Sequence, residues 1–295
     1  MKFPLGLTTS EATNERGQKL LALDLAALRS PMIKSLHRVE VFIGYAHHTT
    51  RGEPLSSVRL EAPIALSVGV PSPIPDDQRK PYQDDYRGWV VGQALIEIDQ
   101  SYQRFVACCL EILLYVDAVI KTGRYYRGKL PLENTWNLHK AVYDHLKDRS
   151  ERHIQESSFL RTLGNARNCL VHDSGFVTER RVNDGNDLRI GWRGYDWTAA
   201  DDTGGVITLP RDKHFSIAEA DVGRRFNLNV VARELQYQVG DRIALTHHDL
   251  SEILFFYSDL FNVLCHDLQK IIEAKAAEAR HSERITNKGR RRQGK

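Results

Sequence analysis

An arginine, an asparagine and a histidine sit close together near the middle of the chain, in the run Arg167-Asn168-Cys169-Leu170-Val171-His172. Arginine carries a fixed fork of donors that matches phosphate oxygens. Histidine exchanges a proton near neutral pH. A metal-free cleavage of RNA needs those two groups. The 2′-hydroxyl attacks the adjacent phosphorus while a base takes its proton and a cation holds the charged phosphate. On this reading His172 is the base, Arg167 the cation, and Asn168 orients either His172 or a phosphate oxygen. The bland reading is a helix end, because Arg and His both meet the negative end of a helix dipole favourably.

The residues before the run say how it is carried. Phe159, Leu163, Ala166 and Leu170 recur at helical spacing, which predicts a helix from about Ser150 to His172 with one buried stripe. Asp173-Ser174-Gly175 follows as stop chemistry, with Gly175 as a left-handed cap. Asn168 and His172 are four apart and share a face, whereas Arg167 and His172 lie roughly 140° apart on an ideal helix. Those two converge only if the helix ends near His172 or the Arg side chain wraps back. Asp173 is a weaker candidate, as a carboxylate that raises the His172 pKa.

The form R-N-x-x-V-H resembles the R-x4-H motif of the HEPN superfamily, small helical domains many of which are metal-independent ribonucleases. The resemblance spans about residues 90–175 and 247–275. It implies a helical bundle, Arg167 and His172 as catalytic residues with Asn168 beside them, no cofactor, and a homodimer whose two motifs face each other. It also implies a toxin-antitoxin or phage-defence setting, with RNA as substrate and an antitoxin as a partner. The alternative is a non-catalytic HEPN-like protein that binds nucleotide, dimerises through helices 89–121 and 247–280, or acts as an adaptor.

Composition sets the outer bounds. The chain has 295 residues, 41% of them hydrophobic, enough for a real core. No apolar run approaches bilayer length, and the start is too short and broken for a signal peptide, so the expectation is a cytoplasmic protein without a membrane span. Net charge is +3, but residues 270–295 hold nine Lys/Arg against three Glu, which leaves the remaining chain at −3. This argues against a broad basic nucleic-acid platform on the body, while a composite cleft could still be locally positive. The four cysteines, Cys108, Cys109, Cys169 and Cys265, fall in apolar helical segments and form no C-x-x-C pair, which argues for free thiols.

The fold class expected is mainly α: a HEPN-like bundle with a β-hairpin-rich insertion and a small mixed N-terminal region. Residues 1–80 are the mixed region and a Pro-rich linker. Within them, Arg16 to Arg29 reads as a helix stopped by Ser30-Pro31, Ile33 to Tyr45 as helix or strand, His47 to Gly52 as a loop, and 58–70 as β-like. Residues 81–280 form the helical domain, with its long spine from Gly88-Trp89 to Lys121 and a helix from Glu133 to Lys147. The β-rich insertion, at about 176–245, is also where a protein partner would dock. A helix starts at Thr246, with Thr246 as N-cap and Asp249 three residues on, and runs to about Arg280. Residues 281–295 read as a disordered basic tail.

Other polar residues carry weaker expectations. Arg124, Tyr126 and Arg127 belong to a basic-aromatic stretch that could stack on and pair with RNA. Glu97 and Asp99, on the long helix, could reach the bundle's polar cleft, with a solvated face as the favoured reading, and His139 and His145 read as surface residues. His47-His48 and His247-His248 are adjacent pairs, which point apart and seldom chelate one metal, so no metal site is expected. P-loop, nucleophile-elbow and dinucleotide-binding patterns are all missing.

Overall fold

The computed structural model describes residues 9–13, 19–23, 25–49, 76–122, 134–146, 151–200, 206–208 and 226–293. Five helices and five strands are formed there: β1 (Thr9–Thr13), β2 (Lys19–Leu23), α1 (Leu25–Thr49), α2 (Asp76–Thr122), α3 (Thr135–Leu146), α4 (Glu151–His172), β3 (Asp187–Ala200), β4 (Val206–Thr208), β5 (Phe226–Gln238) and α5 (His247–Gln293). The chain is mainly helical, as its composition and periodicity predict. None of the described helices is long and apolar enough to cross a membrane.

The spine helix α2 packs against α1, α3, α4 and α5. Its stripe of Leu95, Ile98, Tyr102, Val106, Cys109 and Leu113 is wholly buried, as spacing by threes and fours requires. From α5, Tyr257 meets Tyr102 edge-on at 5.3 Å and Phe261 meets Phe105 at 4.7 Å. From α4, Leu160, Leu163, Ala166 and Cys169 join the same core.

The insertion forms a three-stranded antiparallel sheet in the order β4-β3-β5, registered from Asp187↔Gln238 to Ala199↔Phe226. Leu188, Ile190 and Trp192 alternate into the core at period two. At Gly191 a Cβ would stand 2.9 Å from Phe159 Cδ1, so glycine lets β3 lie directly on α4. The predicted turn at Asn183-Asp184-Gly185 forms, pinned by Asn183 side-chain bonds to the Arg189 amide and carbonyl, both 2.8 Å. The predicted cap of α5 also forms. Thr246 Oγ1 accepts from the Asp249 amide at 3.1 Å, and the Thr246 amide donates back to Asp249 Oδ2 at 3.0 Å.

The N-terminal reading needs correction. Residues 19–23 are a strand paired with β1, not part of a helix, and α1 runs through Ser30-Pro31. Pro31 is the seventh residue of α1, where it lacks the amide for an i→i−4 bond, and burial of Met32, Leu36, Val39 and Ile43 against α2 offsets that loss. The same packing makes Ile33–Tyr45 helical and carries the helix through His47-His48-Thr49. Helix α2 begins at Asp76, so a domain boundary at residue 80 would cut it. The expected disordered tail is instead helical to Gln293, as its run of Ala, Glu, Lys and Arg favours. The β-like segment 58–70, the Pro-rich stretch 71–75 and the Asp202–Gly205 turn lie outside the described residues.

Candidate functional site

Arg167 is in the second-last turn of α4, and its guanidinium turns inward. Arg167 Nε donates to Asp99 Oδ2 at 3.1 Å, while the other carboxylate oxygen accepts from Tyr257 Oη at 3.0 Å. Asp99 and Tyr257 are wholly buried, whereas the Arg167 side chain keeps 15% of its surface exposed. Burial pushes the Asp99 carboxyl above its usual range, and the Arg167 charge and the Tyr257 hydroxyl work against that rise. The Tyr257 hydroxyl, buried against Asp99, is held far on the protonated side and stays a donor.

Asp99 was expected on a solvated face, and this is a correction. It lies four residues after Leu95 and three before Tyr102, on the inward stripe of α2. Glu97 faces the other way, half-buried, and accepts from Ser35 at 3.0 Å and Arg38 at 3.2 Å.

His172 ends α4 and is exposed. Asn168, one turn earlier, is half-buried. Among the described residues, no hydrogen bond or ion pair joins His172 to Arg167 or to Asn168. The carbonyl of Cys169 closes the helix, accepting from the amides of Asp173 at 3.0 Å and Gly175 at 2.9 Å. Gly175 has φ +85°, the left-handed conformation that its stop role requires. Asp173 does not serve His172. Its carboxylate pairs with Arg180 and with Arg181 Nε at 2.9 Å, which hold it below the usual carboxylate range and tie the helix end to the turn ahead of β3. The weaker RNA-binding candidates Arg124, Tyr126 and Arg127 lie outside the described residues.

The chain matches no known family model, no curated protein and no solved structure.

A second polar cluster was missed in the sequence. His139 on α3 is fully buried rather than a surface residue, because it falls one position after the core residue Leu138 on the face of α3 that meets α2 and α4. Its Nδ1 meets Tyr102 Oη at 2.9 Å, and its Nε2 lies 3.8 Å from Glu156 Oε2. His153 Nδ1 is 3.0 Å from the same oxygen, and its ring stacks on Tyr143 at 3.5 Å. Glu156 Oε1 pairs with Arg152 at 2.8 Å and with Arg193 of β3. Both arginines also reach Asp259 of α5, at 3.2 and 2.6 Å. Burial works to raise the Glu156 pKa, but neighbouring His139, Arg152, His153 and the Arg193 charge outweigh it and bring it down to about 2. Burial lowers the His139 pKa and favours a neutral ring. His145, on the same helix, is half-buried and lies 3.1 Å from Asp117. The His153-x-x-Glu156 spacing is the one trace of this cluster in the sequence, since its second imidazole, His139, comes from another helix.

Proposed function

We propose that this chain is a HEPN-like, metal-independent endoribonuclease that cleaves RNA by 2′-hydroxyl attack, with Arg167, Asn168 and His172 acting in a site shared by two copies. One observation carries the reading. Among the described residues, Asp99 holds Arg167 by Nε alone, which leaves the two terminal nitrogens of the fork for phosphate oxygens, five residues ahead of an exposed imidazole at the helix lip. A purely structural arginine would spend its fork on protein acceptors.

The separation of Arg167 and His172 within one chain favours a dimer, in which two imidazoles and two guanidinium groups can share the acid and base roles. The surface near the motif suits that. A Cβ at Gly92 would stand 3.4 Å from Leu170 Cδ2, so the first half of α2 lies beside the motif helix. That half carries exposed Tyr86 and Trp89, which with Phe42 and Tyr45 of α1 line an apolar groove of about 460 Å³. Exposed aromatic clusters of this kind mark interfaces.

Incubation of the purified protein with RNA in EDTA tests the reading. Wild type should cleave, leaving 2′,3′-cyclic phosphate ends, while Arg167→Ala and His172→Ala should lose at least a hundredfold in rate. A folded wild type that cuts no RNA would leave the non-catalytic, nucleotide-binding or adaptor alternative standing instead.

A further inference from the structure

We propose that His139, His153 and Glu156 form a buried site for one divalent transition-metal ion of the Zn²⁺ class, which staples α3 to α4. Their ligand atoms all lie within 4.8 Å of one another. A tetrahedral ion with bonds of about 2.0–2.1 Å sets its ligands about 3.3 Å apart, and the observed 3.0 and 3.8 Å separations to Glu156 Oε2 lie on either side of that value. His153 and Glu156 share one face of α4 at i, i+3, and α3 supplies the third ligand.

An independent observation points to a ligand. His139 Nε2 is completely buried and makes no hydrogen bond among the described residues, since 3.8 Å to Glu156 is too long for one. A buried imidazole nitrogen left so costs stability, and coordination satisfies it. Its other nitrogen already meets Tyr102 Oη, an arrangement that fixes ring orientation and lets Nδ1 carry the proton while Nε2 binds. Glu156 is likewise divided. Oε1 serves Arg152 and Arg193, and Oε2 faces the two imidazoles.

Donor type decides which ion fits: two imidazole nitrogens and a single carboxylate oxygen converge here. Mg²⁺ and Ca²⁺, which want several anionic or carbonyl oxygens, are disfavoured, and two imidazoles favour Zn²⁺ or Co²⁺. Water completes the shell. The role is structural, so it leaves the metal-independent cleavage proposed above untouched.

The full chain, stripped with chelator, is titrated with Co²⁺ and then Zn²⁺. One equivalent of Co²⁺ should give the visible d–d bands of a tetrahedral site, and Zn²⁺ should bleach them. At a hundredfold excess over Kd, Zn²⁺ should raise Tm by roughly 4 °C. Tyr102→Phe, which keeps all three ligands, should bind about tenfold more weakly. His139→Ala and His153→Ala should lose the bands. Imidazole ¹⁵N spectra of the wild type give the assignment without any variant, because only His139 and His153 should shift with Zn²⁺. The proposal is overturned if the stripped protein gives no tetrahedral spectrum, or if the shifts and bands belong to the His47-His48 or His247-His248 pairs.

Discussion

Asp99 and Arg167 join the candidate site to the core. Asp99 accepts from Arg167 on one oxygen and Tyr257 on the other, so three helices contribute to one small polar cluster. Removing the carboxylate leaves a guanidinium and a phenol without their partner. Breaking a fully buried pair costs about 3–5 kcal/mol, and the partial exposure of Arg167 reduces that. Asp99→Ala should therefore lower the unfolding free energy by about 2–3 kcal/mol in urea titration, and Tyr257→Phe by about 1 kcal/mol. His172→Ala should change stability by under about 0.5 kcal/mol, because the ring is exposed. Loss of cleavage with that variant would then report chemistry rather than folding. Asp173 gives a pH test. Its folded pKa is depressed by Arg181 and Arg180, so its contribution is complete above the usual aspartate pKa of 3.8 and fades as pH falls through the lowered value. Amide exchange at Gly175 should accelerate across that acid window, and Asp173→Asn should flatten the response.

The elements explain why those side chains meet. α4 is held on one side by α2 and α3 and on another by β3. Two glycines set the spacing. Gly191 admits Phe159, and Gly164 admits Trp136, whose Cζ3 would stand 3.1 Å from a Cβ there. Gly191→Ala must push the strand off the helix or move the phenyl ring. Overpacking of that kind costs about 1–3 kcal/mol, readable as a lower urea midpoint with an unchanged m value. The same strain should slow cleavage, because it acts on the helix that carries Arg167 and His172.

Across the molecule, two polar clusters sit in one hydrophobic core, with the Tyr102–Tyr257 ring contact between them. The hydroxyl of Tyr257 serves Asp99 and that of Tyr102 serves His139. The exposed aromatic groove on α1 and α2 is the surface through which the proposed dimer would form. Replacing Trp89, 61% exposed, with Glu should leave the fold intact and shift light-scattering mass from dimer to monomer. If the site is shared, cleavage falls in the same variant in proportion to the dimer lost. A monomeric wild type that still cleaves would remove the dimer from the proposal.

Helix periods, the Gly175 stop, the Thr246–Asp249 cap and the strands of the insertion were legible in the residues alone, because each depends on neighbours a few positions away. The polar partners were not. Asp99 and His139 look like surface residues in sequence, and each is buried because helices distant along the chain cover it. The N-terminal strand pair and the passage of α1 through Pro31 were hidden for the same reason, as pairing and packing outweighed local preference. Local spacing settles which residues share a helix face, but burial and charge pairing depend on what packs over that face, and that is set only when the helices come together.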